Sequence, residues 1–224
     1  MKDAYSFDTD QESLDVTYQR MRVAYRNIFR RCGLPTLEVE ADSGAIGGKD
    51  SHEFIMPAAS GEDTVLVCPT GDYAANAERA ISVIPPAPED PPLDRGLIDT
   101  PGMKTIADLG QLGFDEIQTL KAVFYNADGQ TVLVTIRGDL SVNEVKLRNH
   151  LHVTDLRMAT DEESRVAGLT PGSTSPIGVK GVRTIGDESI CQGTNFAAGA
   201  NQLDKHFIGA NYPRDFAVDE VVDI

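Results

Sequence analysis

The sequence predicts an α/β (α+β) fold in which a mixed β-sheet is packed against helices. Two apolar segments, 120–125 and 131–137, are typical of strands, and Asn126-Ala127-Asp128-Gly129 between them is typical of a hairpin turn. Short helices that begin at capping boxes follow this hairpin, and such a mixed order of strands and helices favours a mixed sheet. An apolar content of 41% in 224 residues is enough for one sizeable core, or for one core plus a fragment of another.

The first third of the chain predicts one long helix followed by strands. Apolar residues recur at helical spacing over 9–33, with Thr9 and Glu12 as a capping box and Gly33 as the stop. A glycine-rich turn at 43–48 follows. The other elements predicted in this part are strands at 36–41, 52–58 and 63–68 and a helical segment at 72–80.

A proline-rich segment then divides the chain. Five of the twelve prolines lie between Pro85 and Pro92, a density that excludes a helix or a central strand. We therefore predict a linker at 81–96 between an N-terminal region, 1–80, and a C-terminal domain, 97–224.

The C-terminal region continues the mixed pattern of strands and helices. A short helix is predicted over 104–112, with Gly113 able to stop it. Two capping boxes, Ser141 with Glu144 and Thr160 with Glu163, predict helices that end near 151 and 167. Further strands are expected near 177–184 and 205–211.

Charge and composition exclude several classes of protein. A net charge of −15 excludes a protein that grips a long nucleic acid by itself, because phosphate binding needs a basic surface; contact with one strand end remains open. No apolar run is long enough for a membrane span, and the first residues lack a signal peptide. Cys32, Cys68 and Cys191 have no metal-binding spacing, so we expect buried reduced thiols, no metal and a cytoplasmic protein.

Four segments carry candidate chemistry. One of them, 40–54, reads by spacing alone as a β-hairpin, because its glycines do not follow a nucleotide-binding fingerprint. Lys121, at the start of an apolar strand, is either an edge residue with its amine in solvent or a cation aimed into a pocket. Glycines and prolines in 168–176 indicate a turn, or a loop whose N–H groups receive a carbonyl oxygen. His206 at a loop-to-strand junction is either a core residue or a pocket residue, and Asp187 is either a turn aspartate or its polar partner. No catalytic motif of recognisable spacing is present.

Long stretches of the chain resemble bacterial prolyl-tRNA synthetases. Residues 1–7 resemble the strand that closes motif 2 of that family, and the run from Glu40 to Phe54 continues the match almost residue for residue. Further matching stretches are 60–63, 72–76, 100–105, 137–139, 143–146 and 196–211.

The resemblance implies two regions with different functions along the chain. Residues 1–80 would be a piece of the class II synthetase catalytic core, largely antiparallel, with His52 and Glu53 on its active-site side. Residues 97–224 would be the inserted editing domain of YbaK-type fold. Motifs 1 and 3 and the anticodon-binding domain have no counterpart, so we expect an excised piece that does not aminoacylate. The parent enzyme would use ATP and Mg²⁺ and form a homodimer with the rest of its chain.

For the editing domain, the resemblance implies hydrolysis of alanine wrongly attached to the 3′ end of tRNA(Pro), without a cofactor or metal. Lys121 matches the family's required lysine. The implied substrate-binding residues are Thr119, Gly172, Ser173, Asp187 and His206. The sequence departs from the family pattern at 122–124, 174–175 and 188–190. The alternative is a catalytically silent insert that supports the synthetase core.

Overall fold

The computed structural model describes residues 5–44, 51–88 and 90–224. The chain divides into two compact units, Met1–Ala80 and Ile81–Ile224, which we call unit 1 and unit 2. The predicted glycine-rich turn at 43–48 lies outside the described residues from 45 onward, as do residues 1–4. Residues 5–7, which belong to the stretch expected to form a strand, form no strand.

Unit 1 begins with helix α1, Gln11–Arg31, which starts at a different cap from the predicted one. Asp10 is the N-cap, and its carboxylate accepts a hydrogen bond from the Ser13 N–H at 2.8 Å. The predicted Thr9 and Glu12 box is therefore wrong. An aspartate carboxylate is favoured at this position because it accepts from N–H groups at the positive end of the helix. Gly33 follows the C-cap with a φ of 72°, as a stop residue should.

A four-stranded sheet makes up the rest of unit 1, in the order β2-β1-β4-β3. Its strand β1 pairs in parallel with β4, so the sheet is mixed rather than purely antiparallel. The strands are β1 Leu37–Glu40, β2 His52–Ile55, β3 Val65–Val67 and β4 Ala74–Asn76.

The predicted helical segment at 72–80 is wrong, because β4 and a turn occupy it. Alanines favour a helix locally, but Ala75 pairs with Glu40 on one side and with Leu66 on the other. Such tertiary pairing overrides helix propensity. The Asn76 side chain then accepts from the Arg79 N–H at 3.0 Å and turns the chain.

Unit 2 is built on a five-stranded mixed sheet in the order β12-β9-β7-β6-β8. Its centre is the predicted hairpin, which is longer than expected: only Asp128 and Gly129 form the turn, with φ of 47° and 87°. The strands are β6 Leu120–Ala127, β7 Gln130–Arg137, β8 Leu156–Met158, β9 Arg183–Asp187 and β12 Glu220–Val222.

A second, three-stranded antiparallel sheet in unit 2 has the order β10-β11-β5. Its strand β11, Lys205–Ala210, confirms the prediction near 205–211, whereas β5, Gly96–Asp99, and β10, Phe196–Gly199, were not predicted. The strand expected at 177–184 is wrong, since β9 begins only at Arg183. Gly178 and Gly181 have positive φ and break any strand before it.

Three short helices flank the sheets of unit 2. They are α2 Ile106–Gly110, α3 Glu144–Leu151 and α4 Asp161–Val166. The capping box of Thr160 with Glu163 is confirmed. The Ser141 box is wrong, because Asn143 caps α3 by accepting from the N–H groups of Val145 and Lys146.

Two apolar clusters fill unit 2. One joins β6, β7 and β9 to α3 and contains Tyr125, Val134, Leu147 and Ile185. The other joins the start of β6 to the second sheet. It contains Leu120, Ile177, Ile190, Phe196, Ala198, Ala210 and Phe216.

The proline-rich segment is held against the rest of unit 2. The Ser82 N–H donates to the Asp223 carboxylate at 3.1 Å, and the Lys146 ammonium donates to Ser82 and Asp223 together. Farther along, the Leu93 N–H donates to the Asn195 side chain at 2.7 Å. Neither helix nor strand occurs at 81–88 or 90–95.

The three cysteines are free thiols, but the expectation that they are buried is wrong. Cys32 and Cys191 are exposed and Cys68 is half-buried. Over the described ranges, no helix has both the length and the apolar character to cross a membrane.

Candidate functional site

A cleft of about 230 Å³ opens at the edge of β6 in unit 2. Strand β8 pairs with β6 only over Tyr125–Ala127, and residues 120–123, which pair with β7, line the cleft. The cleft is lined by Lys104, Thr105, Ile106, Leu109, Leu120, Lys121, Ala122, Val123, Gly172, Ser173, Thr174, Gly199 and His206.

Lys121 lies half-buried at this edge. Its Nζ atom donates a hydrogen bond to the carbonyl oxygen of Leu140 at 2.6 Å. The ammonium is thus held by the protein rather than extended into solvent. A lysine ammonium has three N–H donors, so two donors remain for a ligand.

An ion pair next to this contact fixes the segment that carries Leu140. The guanidinium of Arg137 is fully buried and donates twice to the Asp139 carboxylate, at 2.6 and 2.9 Å. The hydrogen bond from Arg137 lowers the pKa of Asp139, and the positive charge of Lys121 contributes. Arg137 and Asp139 therefore position the carbonyl that holds Lys121.

The predicted loop at 168–176 forms one wall. Gly172 has a φ of 81°, which favours glycine, and Ser173 is buried beside it. The Ser173 N–H already donates to the Thr170 carbonyl at 3.0 Å, so it is not a free donor for a ligand. Within the described residues, the Ser173 hydroxyl has no hydrogen-bond partner, although it lines the cleft.

Gly199 and Asn201, to which the sequence assigned no individual role, shape this wall. A Cβ atom on Gly199 would lie 2.3 Å from the carbonyl carbon and oxygen of Ser173, so only glycine lets the loop approach β10 this closely. Asn201 holds the loop from the other side, because its side chain accepts from the Ser175 N–H at 3.0 Å and donates to the Ile177 carbonyl at 2.7 Å.

His206 forms the floor of the cleft. It is 5% exposed, and its Nδ1 atom lies 2.6 Å from the hydroxyl oxygen of Thr100, which is also buried. Burial lowers the pKa of His206 below its ordinary value of 6.5, so the imidazole is neutral at pH 7.

The structure brings Lys121, Gly172, Ser173 and His206 together in the cleft but does not bring Thr119 or Asp187 there. Thr119 is fully buried, and its hydroxyl donates to the Glu116 carbonyl at 2.8 Å. The Asp187 carboxylate accepts from the N–H groups of Ser189 and Ile224.

His52 and Glu53 lie on β2 of unit 1. The His52 Nδ1 atom is 2.9 Å from the Tyr18 hydroxyl, and Glu53 is exposed. Over the described ranges, no group of three histidine, cysteine or acidic side chains is arranged to hold a metal ion.

The charge of the cleft is opposite to that of the chain. Among the described residues that line it, Lys104 and Lys121 carry charge and no acidic side chain is present. Lys104 was not singled out from the sequence, and its position directly before the α2 N-cap is the one local signal for it. The cleft therefore suits an anionic ligand in a chain of net charge −15.

Known proteins resemble this chain over the region that contains the cleft. A family model described as an aminoacyl-tRNA editing domain matches residues 100–215. The whole chain is 50% identical to a proline–tRNA ligase of Dehalococcoides mccartyi and 48% identical to one of Geobacillus kaustophilus, and it spans 40% of the length of each. The crystal structure of hypothetical protein APE2540 shares the fold, with a TM-score of 0.50 and 20% identity over 58% of this chain and 91% of that one. The chain therefore belongs to the aminoacyl-tRNA editing domain family and aligns over its whole length with part of bacterial proline–tRNA ligases.

Proposed function

We propose that unit 2 hydrolyses the ester bond between alanine and the 3′-terminal adenosine of tRNA(Pro). The observation that carries this proposal is the cleft at the open edge of β6, whose charged lining groups are both lysines. The family match to an editing domain and the proline–tRNA ligase relatives supply the class of substrate.

Selection of alanine would follow from size. Alanine and proline differ by little apolar volume, and a methylene-scale difference is worth only about 1–3 kcal/mol in one binding step. A second, smaller pocket that admits alanine and excludes proline adds a second selection. The apolar side chains of Leu109, Leu120 and Val123 and the neutral ring of His206 would form its walls.

Lys121 would bind the reacting end of the substrate. With one donor on the Leu140 carbonyl, its ammonium is fixed in place and has donors left for the ester carbonyl or the neighbouring phosphate. A cation fixed beside a carbonyl stabilises the negative charge that develops on its oxygen as water attacks.

The loop at 172–173 would supply the other polar contact. Because the Ser173 N–H is already used, we assign the contact with the carbonyl oxygen to the Ser173 hydroxyl. Water forms the new bond to the carbonyl carbon, the bond to the ribose 3′-oxygen breaks, and that oxygen takes up the proton that the water loses. We assign the proton transfer to water or the ribose 2′-hydroxyl, because His206 is buried against Thr100.

The function of the proline–tRNA ligases that this chain matches over 40% of their length is a separate inference. We infer that they join proline to tRNA(Pro) with ATP and Mg²⁺, as cytoplasmic homodimers in which unit 1 is part of the catalytic core.

Deacylation by the purified chain tests the proposal. Wild type should hydrolyse Ala-tRNA(Pro) faster than Pro-tRNA(Pro). Lys121→Ala should lower kcat/KM for Ala-tRNA(Pro) on the order of 100-fold, the usual loss for one donor that stabilises a developing oxyanion. Lys180→Ala removes the same charge from an exposed site outside the cleft and should change little. Equal rates for wild type and Lys121→Ala would refute the role of Lys121.

The second candidate is a catalytically silent insert that supports a synthetase core. One observation favours this second candidate: the Ser173 N–H donates to a carbonyl within the loop and is unavailable to an oxyanion. Wild-type protein that leaves Ala-tRNA(Pro) intact while remaining folded would favour this candidate over the editing enzyme.

A further inference from the structure

We propose that Lys104 binds the phosphate on the 5′ side of the terminal adenosine and leaves Lys121 to the ester group. This inference rests on the proposed function, because it assumes that the cleft receives the 3′ end of a tRNA. Lys104 was not among the candidate residues predicted from the sequence, but it lines the cleft.

The stem of Lys104 lies against the loop wall of the cleft. A Cβ atom built on Gly172 would be 3.2 Å from Cγ and 3.3 Å from Cβ of Lys104. Lysine stems that pack in this way direct the ammonium toward solvent at the rim of an apolar surface. Lys104 is therefore restricted to the mouth of the cleft, beside Ser173.

The ammonium of Lys104 is not held in an ion pair with a described carboxylate. Among the described residues, none forms an ion pair with it, whereas Lys146 pairs with Asp223 and Lys205 pairs with Asp99. Acidic residues outnumber basic ones by 35 to 20 in this chain, so a cation without a carboxylate partner is available to an anionic ligand.

The backbone around Lys104 cannot take the role of its side chain. The Asp108 carboxylate accepts from the N–H groups of Lys104 and Thr105, at 3.0 and 2.9 Å. Both N–H groups are thus already hydrogen-bonded at the capped start of α2. A phosphate at this rim must therefore be bound by the lysine side chain.

Burial separates the roles of the two lysines. Lys121 is half-buried with its Nζ atom on the Leu140 carbonyl, and Lys104 is exposed. The ester is the terminal group of the strand and enters the cleft first, while the phosphate connects to the rest of the tRNA in solvent. Phosphate contacts fix the position of a strand, so Lys104 would set the depth to which the ester enters.

Binding of a non-hydrolysable analogue tests this inference on the full chain. The probe is adenosine with alanine joined through a 3′-amide, prepared with and without a 5′-phosphate. Wild type should bind the phosphorylated probe on the order of 5-fold more tightly, in keeping with a charge-assisted contact at an exposed site. Lys104→Ala should lose this preference and keep its affinity for the probe without phosphate, and Lys104→Arg should retain the preference.

Lys180→Ala is the matched control, since it removes an exposed lysine outside the cleft. It should keep the phosphate preference. With a CCA-ending oligonucleotide that carries the same 3′-amide, Lys104→Ala should also reduce the slope of log K against log[salt] by about 0.7, the value for one phosphate contact on a single strand.

The possible outcomes separate this inference from the proposed function. A phosphate preference that survives in Lys104→Ala, or that is lost in Lys121→Ala instead, would overturn the inference and leave the editing function standing. Wild type without any phosphate preference, or without binding to either probe, would also overturn it. A phosphate preference that depends on Lys104, in a protein that does not hydrolyse Ala-tRNA(Pro), would support the inference and refute the editing function.

Discussion

His206 and Thr100 form a buried polar pair at the floor of the cleft, with Nδ1 and the hydroxyl oxygen 2.6 Å apart. Burial lowers the pKa of His206, so the unfolded chain takes up its proton near pH 6.5 and the folded chain only at lower pH. Below about pH 6.5 the unfolded state therefore binds more protons, and the free energy of unfolding should fall as the pH falls.

Urea unfolding of wild type and His206→Gln between pH 7.5 and 5.5 measures this effect. The free energy of unfolding of wild type should fall more steeply on acidification than that of the variant. The other histidines contribute equally to both proteins and cancel in the difference. Parallel curves would mean that His206 protonates as easily in the folded chain as in the unfolded one.

The close approach of Gly199 to Ser173 predicts a loss of stability in Gly199→Ala. The new methyl group would lie 2.3 Å from backbone atoms of Ser173, which cannot rotate away as a side chain can. We expect a loss of about 1–3 kcal/mol, as for other overpacked sites, and slower deacylation because the loop shifts.

Gly110→Ala is the control for that substitution. Nothing lies within 4 Å of the added Cβ atom, and the residue ends α2, so stability should be unchanged or raised by up to about 1 kcal/mol. Urea midpoints of the two variants give the comparison. Equal midpoints would show that the loop moves aside at no cost.

Asp139→Ala should destabilise the protein through the charge it leaves behind. Arg137 is fully buried, and removal of its partner leaves an unpaired guanidinium, at a cost of about 3 kcal/mol. The pKa of Asp139 is lowered in the folded state, so this stabilisation is complete above pH 3.8 and is lost as the pH falls below it. Deacylation should fall as well, because the segment that holds Lys121 is released.

Asp161→Ala removes a carboxylate that pairs with Arg165, where both side chains are exposed. Such a pair contributes about 0–1 kcal/mol, so the free energy of unfolding from urea titration should hardly change. A similar small change for Asp139→Ala would show that water reaches Arg137 and replaces its partner.

The sequence predicted what local patterns determine. Asp128 and Gly129 define the hairpin through their backbone preferences, and Thr160 with Glu163 defines the start of α4. Strands β5 and β10 escaped prediction because each has only four residues and is stabilised by pairing with segments about 100 residues away or across a turn.

The candidate site shows the same limit. Thr119 and Lys121 are two residues apart, and strand periodicity alone would place both on one face. The structure instead ends a 3₁₀ turn at Thr119, whose hydroxyl closes that turn, so only Lys121 reaches the cleft. The sequence left two interpretations of Asp187 open, a turn aspartate and a polar partner of His206. The structure supports the turn aspartate, since the Asp187 side chain caps the segment Glu188–Cys191.

The contact between Ser82 and Asp223 has a consequence for modularity. Because these residues are hydrogen-bonded to each other and both bind Lys146, positions 82 and 223 of unit 2 lie close together. A domain whose two ends lie close together can be inserted into a surface loop of a host protein without separating the ends of that loop. The same property makes residues 81–224 suitable for transplantation or circular permutation, with the Ser82 junction as the natural place to cut and join.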